Sequence, residues 1–108
     1  MEKPDPSAIP LRGFYYHYKH DPEGVPNNYT YEVIGLVRET ETEDFAVLYR
    51  PLYQSEWMSP ATYNTRPLSS FVGSLEKEGQ MIHRFRRITD EELISKFEAI
   101  AREMYPHS

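Results

Sequence analysis

Tyr29-Thr30-Tyr31-Glu32-Val33-Ile34-Gly35-Leu36-Val37-Arg38, then Glu39-Thr40-Glu41-Thr42-Glu43-Asp44, then Phe45-Ala46-Val47-Leu48-Tyr49-Arg50 is the stretch that decides the fold. Its outer segments are rich in β-branched and aromatic residues, which favour a pleated, half-buried surface. Tyr31, Val33 and Val37 alternate with Glu32, Ile34 and Leu36, so both faces of the first segment are partly apolar. Gly35 interrupts the first segment and predicts a bulge or sharp bend, the kind of bend a small barrel needs to close. The acidic middle reads as a solvated tip, and the whole as a β-hairpin. Pro51 ends the second strand.

The pattern extends upstream. Gly13 opens an aromatic run, Phe14-Tyr15-Tyr16-His17-Tyr18-Lys19. A strand here puts Phe14, Tyr16 and Tyr18 on one face and Tyr15, His17 and Lys19 on the other. His20 to Asn28, with two prolines and a glycine, is a loop, and Pro4, Pro6 and Pro10 mark residues 1–12 as a loose arm.

Downstream, Gln54 to Thr65 reads as a polar connection holding Trp57, Pro60 and Tyr63. Arg66 to Phe71 reads as a short turn or single helical turn, with Pro67 near its start. Val72–Lys77 and Met81–Ile88 flank Glu78-Gly79-Gln80 as a second hairpin. Thr89 and Glu92 fit a capping box, with Ile88 and Leu93 as its hydrophobic staple. Leu93, Ile94, Phe97, Ile100, Ala101 and Met104 then form one apolar stripe. The expectation is therefore a flexible arm (1–12), a β domain (13–88) and an amphipathic helix (89–105) packed on that domain or on a partner.

Composition narrows the function classes. The chain has 108 residues, with nine Tyr, five Phe and one Trp. Seventeen acids against twelve bases give a net charge of -5, which opposes nonspecific nucleic-acid binding. There is no cysteine, so disulfides, thiolate nucleophiles and Cys-ligated zinc are excluded. No run reaches membrane-spanning length and the N-terminal residues carry no apolar signal core, so the expected setting is soluble and cytoplasmic.

Taken in order, Gly13-x-Tyr15-x-His17-Tyr18-Lys19, Tyr31-Glu32-Val33, Glu41-Thr42, Val47-x-Tyr49-x-x-Leu52-Tyr53, Arg66-Pro67, Phe71, Gly79 and Arg84-Phe85 resemble the family DUF1653, a domain of unknown function. The resemblance implies a small SH3-like β-barrel or roll and no particular reaction. The chain departs from the family pattern in three places. Glu39 stands where a histidine is usual, His20 and a long loop follow Lys19 where a glycine is expected, and the 54–65 connection is extended.

Candidate chemistry centres on the Tyr15, His17, Lys19 face. A histidine beside a lysine and a tyrosine suits a polar or anionic ligand, or a proton shuttle. Glu41, Thr42, Arg66 and Arg84 extend this candidate ligand-binding set, since arginine clamps carboxylates and phosphates. The alternative is structural: a packed strand face, with Glu41 in a salt bridge to Arg66 or Arg84. His17, His20 and Asp21 have the right types for a metal but not a recognised spacing, so no metal and no cofactor is expected. In His83-Arg84-Phe85-Arg86-Arg87 alternation divides the cations, with Arg84 and Arg86 on one face. A solvated strand edge explains them.

Two functions follow. One is a binding module for a protein, a peptide or a small polar ligand, with a homodimer through the helix stripe as a further option. The other is a small enzyme acting on a polar or anionic metabolite, with His17 as acid or base.

Overall fold

The computed structural model describes residues 6–54 and 62–106. Trp57 and Pro60 of the expected polar connection lie outside these residues. Strands β1 (Gly13–His17), β2 (Thr30–Arg38), β3 (Phe45–Pro51) and β4 (Asn64–Pro67) are followed by one helical turn, α1 (Leu68–Phe71). Then come β5 (Ser74–Lys77), β6 (Gln80–His83), β7 (Phe85–Arg87) and the helix α2 (Glu91–Met104). Within the expected arm, Pro6–Ala8 makes an exposed 3-10 turn.

Five strands form one antiparallel sheet in the order β4-β3-β2-β1-β7, and β5 and β6 form a separate hairpin. The fold is mainly β with a C-terminal helix, as expected, but the sheets do not close into a barrel. The reason lies at Arg84. Its N–H donates to the Gly73 carbonyl and its carbonyl accepts from Tyr18 N–H. The run 81–88, read from sequence as one strand, is thereby split between the two sheets. The strand β4 was also missed by that reading, because Asn, Arg and Pro carry little β signal.

The bulge is where Gly35 places it: the β2–β3 register shifts between Val33 and Gly35. Because of the extra residue, Val33 pairs with Tyr49 and Leu36 with Val47, so residues of opposite parity share a face.

Each face of the sheet has its own apolar layer. Tyr15, Tyr31, Val33, Val47, Tyr49, Phe71 and Phe85 pack on one side. Phe14, Leu52, Ile88, Phe97, Ala101 and Tyr105 pack on the other, with the inward stripe of α2. Phe97 is completely buried, its ring 5.9 Å from Phe14 and 6.1 Å from Tyr16. Glu32 and Arg50, on the helix side, form an ion pair at 2.7 Å, and the Arg50 guanidinium lies 4.2 Å from the Tyr105 ring centre.

The cap of α2 is Asp90 rather than Thr89. The Asp90 carboxylate accepts from Glu92 N–H at 2.9 Å and Leu93 N–H at 3.1 Å, and its backbone is extended. A carboxylate satisfies two first-turn donors and adds a favourable charge at the helix N-terminus, so it outcompetes the neighbouring hydroxyl. Ile88 and Leu93 still meet in the helix-side layer.

Candidate functional site

His17 ends β1 on the aromatic face, paired with Phe85 across the β1–β7 ladder. Its ring makes an edge contact with Phe85 at 5.1 Å and lies 4.4 Å from Tyr18 and 5.8 Å from Tyr29. Nδ1 accepts a hydrogen bond from Lys19 N–H at 3.2 Å. A neutral ring bonded in this way carries its proton on Nε2 and can donate from there.

Burial lowers the His17 pKa to about 4, helped by the charges of Arg66, Lys19 and Arg84 in that order. No carboxylate is among the groups that act on it. His17 is therefore an uncharged donor at neutral pH in a positive field.

The two arginines reach this place from different elements. Arg66 pairs with Val47 in the β3–β4 ladder, which puts it on the aromatic face. Its guanidinium sits 5.6 Å from the Phe85 ring centre, and Nη1 donates to Ser70 Oγ at 3.2 Å. Arg84 stands at the break between β6 and β7. Among the described residues, Arg66 Nε and Arg84 Nε are buried without a hydrogen-bond partner.

The other expected site residues divide. Lys19 lies just beyond β1 and is exposed, its Nζ 6.0 Å from the Tyr18 ring centre. Tyr15 is buried and its hydroxyl donates to Leu11 O at 2.8 Å, so it is part of the core; burial raises its pKa. Glu41 and Thr42 stay in the exposed tip, bonded to Glu39 and Asp44 respectively. Thr42 lines a different groove, between the tip and Leu68. The expected salt bridge from Glu41 to Arg66 or Arg84 does not form; the ion pairs among the described residues are Arg38–Glu43 and Glu32–Arg50. Glu41, in the middle of a six-residue solvated tip, has no packing to hold it against either arginine.

Arg84 also departs from strict strand alternation. Phe85 and Arg87 pair with His17 and Tyr15 on the aromatic side, and Arg86 lies 5.7 Å from the Tyr16 ring on the other. Arg84 sits in the break and its charge acts on His17. His20 stacks on Tyr16 at 3.8 Å, and its Nδ1 is engaged 2.6 Å from Asn28 O. No group of three potential metal ligands occurs among the described residues.

Sequence reading missed Tyr29 and Tyr53. Their rings are 5.8 Å apart, and the Tyr53 hydroxyl is bonded to that of Tyr31. Burial raises the pKa of both Tyr31 and Tyr53. A hint was present: Tyr53 follows Tyr49 by four residues, in the bend just after β3 ends at Pro51.

An open cleft of about 500 Å³ adjoins the site, lined by Tyr16, His17, Tyr18, His83 and Arg86 among others. No described helix is long and apolar enough to cross a membrane.

A search of curated proteins finds no match. A crystal structure of a DUF1653 protein from Bordetella bronchiseptica is similar, at 27% identity and a TM-score of 0.57. The similarity covers 75% of this chain and 94% of that one. The model of the DUF1653 family, described as a protein of unknown function, matches residues 13–87, and the chain belongs to this family.

Proposed function

We propose that the domain is a binding module whose His17 end takes an anionic group, a carboxylate or a phosphate. The observation that carries this reading is the pair of buried, unpartnered Nε donors on Arg66 and Arg84. Buried polar groups are nearly always satisfied, and an orphaned charged donor costs more than an orphaned neutral one. Two such donors beside one neutral histidine are best explained by an acceptor that arrives with the ligand. His17 adds an Nε2–H donor, and the field of Lys19 adds attraction.

The acid–base alternative has less behind it. A histidine whose pKa is lowered to about 4 is a weak base at neutral pH, better suited to donating a hydrogen bond than to shuttling protons.

The test is thermal denaturation in sulfate, phosphate or citrate against chloride at equal ionic strength. The parent gains several degrees in at least one of these anions. Arg66→Gln and Arg84→Gln lose that gain. Identical melting in all four salts rejects the proposal.

A further inference from the structure

The three non-glycine residues with positive φ are Tyr29, Glu43 and Glu78, among those described. Glu43 and Glu78 sit at hairpin tips, where the turn requires that conformation. Tyr29 is different. It is a bulky side chain at φ 47, where asparagine or glycine fits with less strain. Its carbonyl accepts from His17 N–H at 2.9 Å, which fixes the backbone beside the site. Its ring is nearly parallel to His17, at 27°, and it is 39% exposed. A strained backbone therefore holds a tyrosine ring partly in solvent beside His17.

Resting on the anion-binding reading above, we infer that the ligand carries a flat ring as well as its anionic group, with the ring stacked on Tyr29. A nucleoside monophosphate is the nearest chemical class. The rings of Tyr18, His17, Tyr29 and Tyr53 follow one another at 4.4, 5.8 and 5.8 Å. Cations flank this row: Arg66 and Arg84 act on His17, and Lys19 and Lys77 lie within about 6 Å of Tyr18. Aromatic rows also attract cationic ligands, but four like charges oppose that here. Ring stacking with phosphate neutralisation satisfies both the aromatic and the charged parts of the site.

The test measures dissociation constants of the full chain at fixed ionic strength for inorganic phosphate, ribose 5-phosphate, AMP and adenosine. AMP binds roughly tenfold tighter than ribose 5-phosphate. Tyr29→Phe keeps that ratio, and Tyr29→Asn, which tolerates the backbone, removes it without weakening ribose 5-phosphate. Equal affinity for AMP and ribose 5-phosphate overturns the stacking inference and leaves the anion reading standing. So does a ratio that survives in Tyr29→Asn. Adenosine binding as tightly as AMP overturns the anion reading as well, and no binding by any phosphate-bearing probe overturns the nucleotide inference while a gain in citrate keeps the anion reading as a carboxylate site. A further arm compares dTMP with a short oligo(dT). Much tighter, steeply salt-dependent oligo(dT) binding marks the nucleotide as part of a strand, and equal affinity marks it as free.

Discussion

The imidazole of His17 is held by the backbone of Lys19, whose N–H donates to Nδ1 at 3.2 Å. This bond and the surrounding cations act in the same direction, because protonating Nδ1 would break the bond and add a fourth positive charge. Both keep this histidine neutral.

A pH dependence follows. The folded pKa of His17 is lowered to about 4 from an ordinary value of 6.5. Between those values the unfolded chain binds more protons than the folded one. Stability is therefore greatest above pH 6.5 and declines as pH falls towards 4. Urea denaturation at intervals across this range shows the decline in the parent and a shallower one in His17→Gln. In NMR titrations the His17 ring changes near pH 4, and bound sulfate moves that midpoint upward by opposing the arginine charges.

On the helix side, Glu32 and Arg50 form an ion pair that is mostly withdrawn from solvent. Removing one partner leaves the other charge poorly solvated. Glu32→Gln lowers stability by about 3 kcal/mol, and a Glu32→Gln/Arg50→Met double variant recovers a large part of it. A double-mutant cycle from urea denaturation measures the coupling, and additive effects would mean the pair acts through packing alone.

The helix tests a different relation. Phe97 is fully buried beneath Phe14, Leu52 and Ile88, so its ring already has a cover within the chain. Phe97→Ala lowers stability by about 3–5 kcal/mol. Sedimentation equilibrium gives the same mass for variant and parent, because the ring faces the sheet rather than a second copy.

How much of this was legible beforehand depends on the range of the interactions. The hairpin from Tyr29 to Arg50, the bulge at Gly35 and the stripe of α2 are local periodicities, and the sequence displays them directly. The open sheet is not local. It turns on Arg84 bonding to Gly73 and Tyr18, across separations that no period reveals. Among the candidate residues, His17, Arg66 and Arg84 stand out by residue type; ladder register puts Arg66 on the His17 face, while Arg84 reaches it only from the break between β6 and β7. Glu41 has the right chemistry but sits on a tip with nothing to carry it inward. Tyr29 was invisible because its distinguishing property is a backbone angle.

The β5–β6 turn offers a gain in stability at a distance from the site. Glu78 and Gly79 both have positive φ, at 53 and 80, between the paired residues Lys77 and Gln80. A two-residue hairpin of this kind favours Asn-Gly. Glu78→Asn raises stability by about 0.5–1 kcal/mol and leaves anion affinity unchanged. Thermal denaturation with and without sulfate reads both quantities.

A ligand-binding arginine and a structural arginine respond differently to replacement. An arginine that holds the fold together loses stability when it is replaced. Arg84 buries a donor without a partner, so in the absence of ligand its charge is a liability. Arg84→Met therefore keeps the stability of the free domain or raises it by up to about 1 kcal/mol, while anion affinity falls by at least about tenfold. Arg84→Lys divides the contribution further. It keeps the charge and discards Nε, so it restores only part of the affinity if the buried donor itself meets the ligand. Urea denaturation of the free domain and calorimetric titration with the best anion decide the matter. A marked loss of stability in Arg84→Met with unchanged affinity would make Arg84 a strut between β6 and β7.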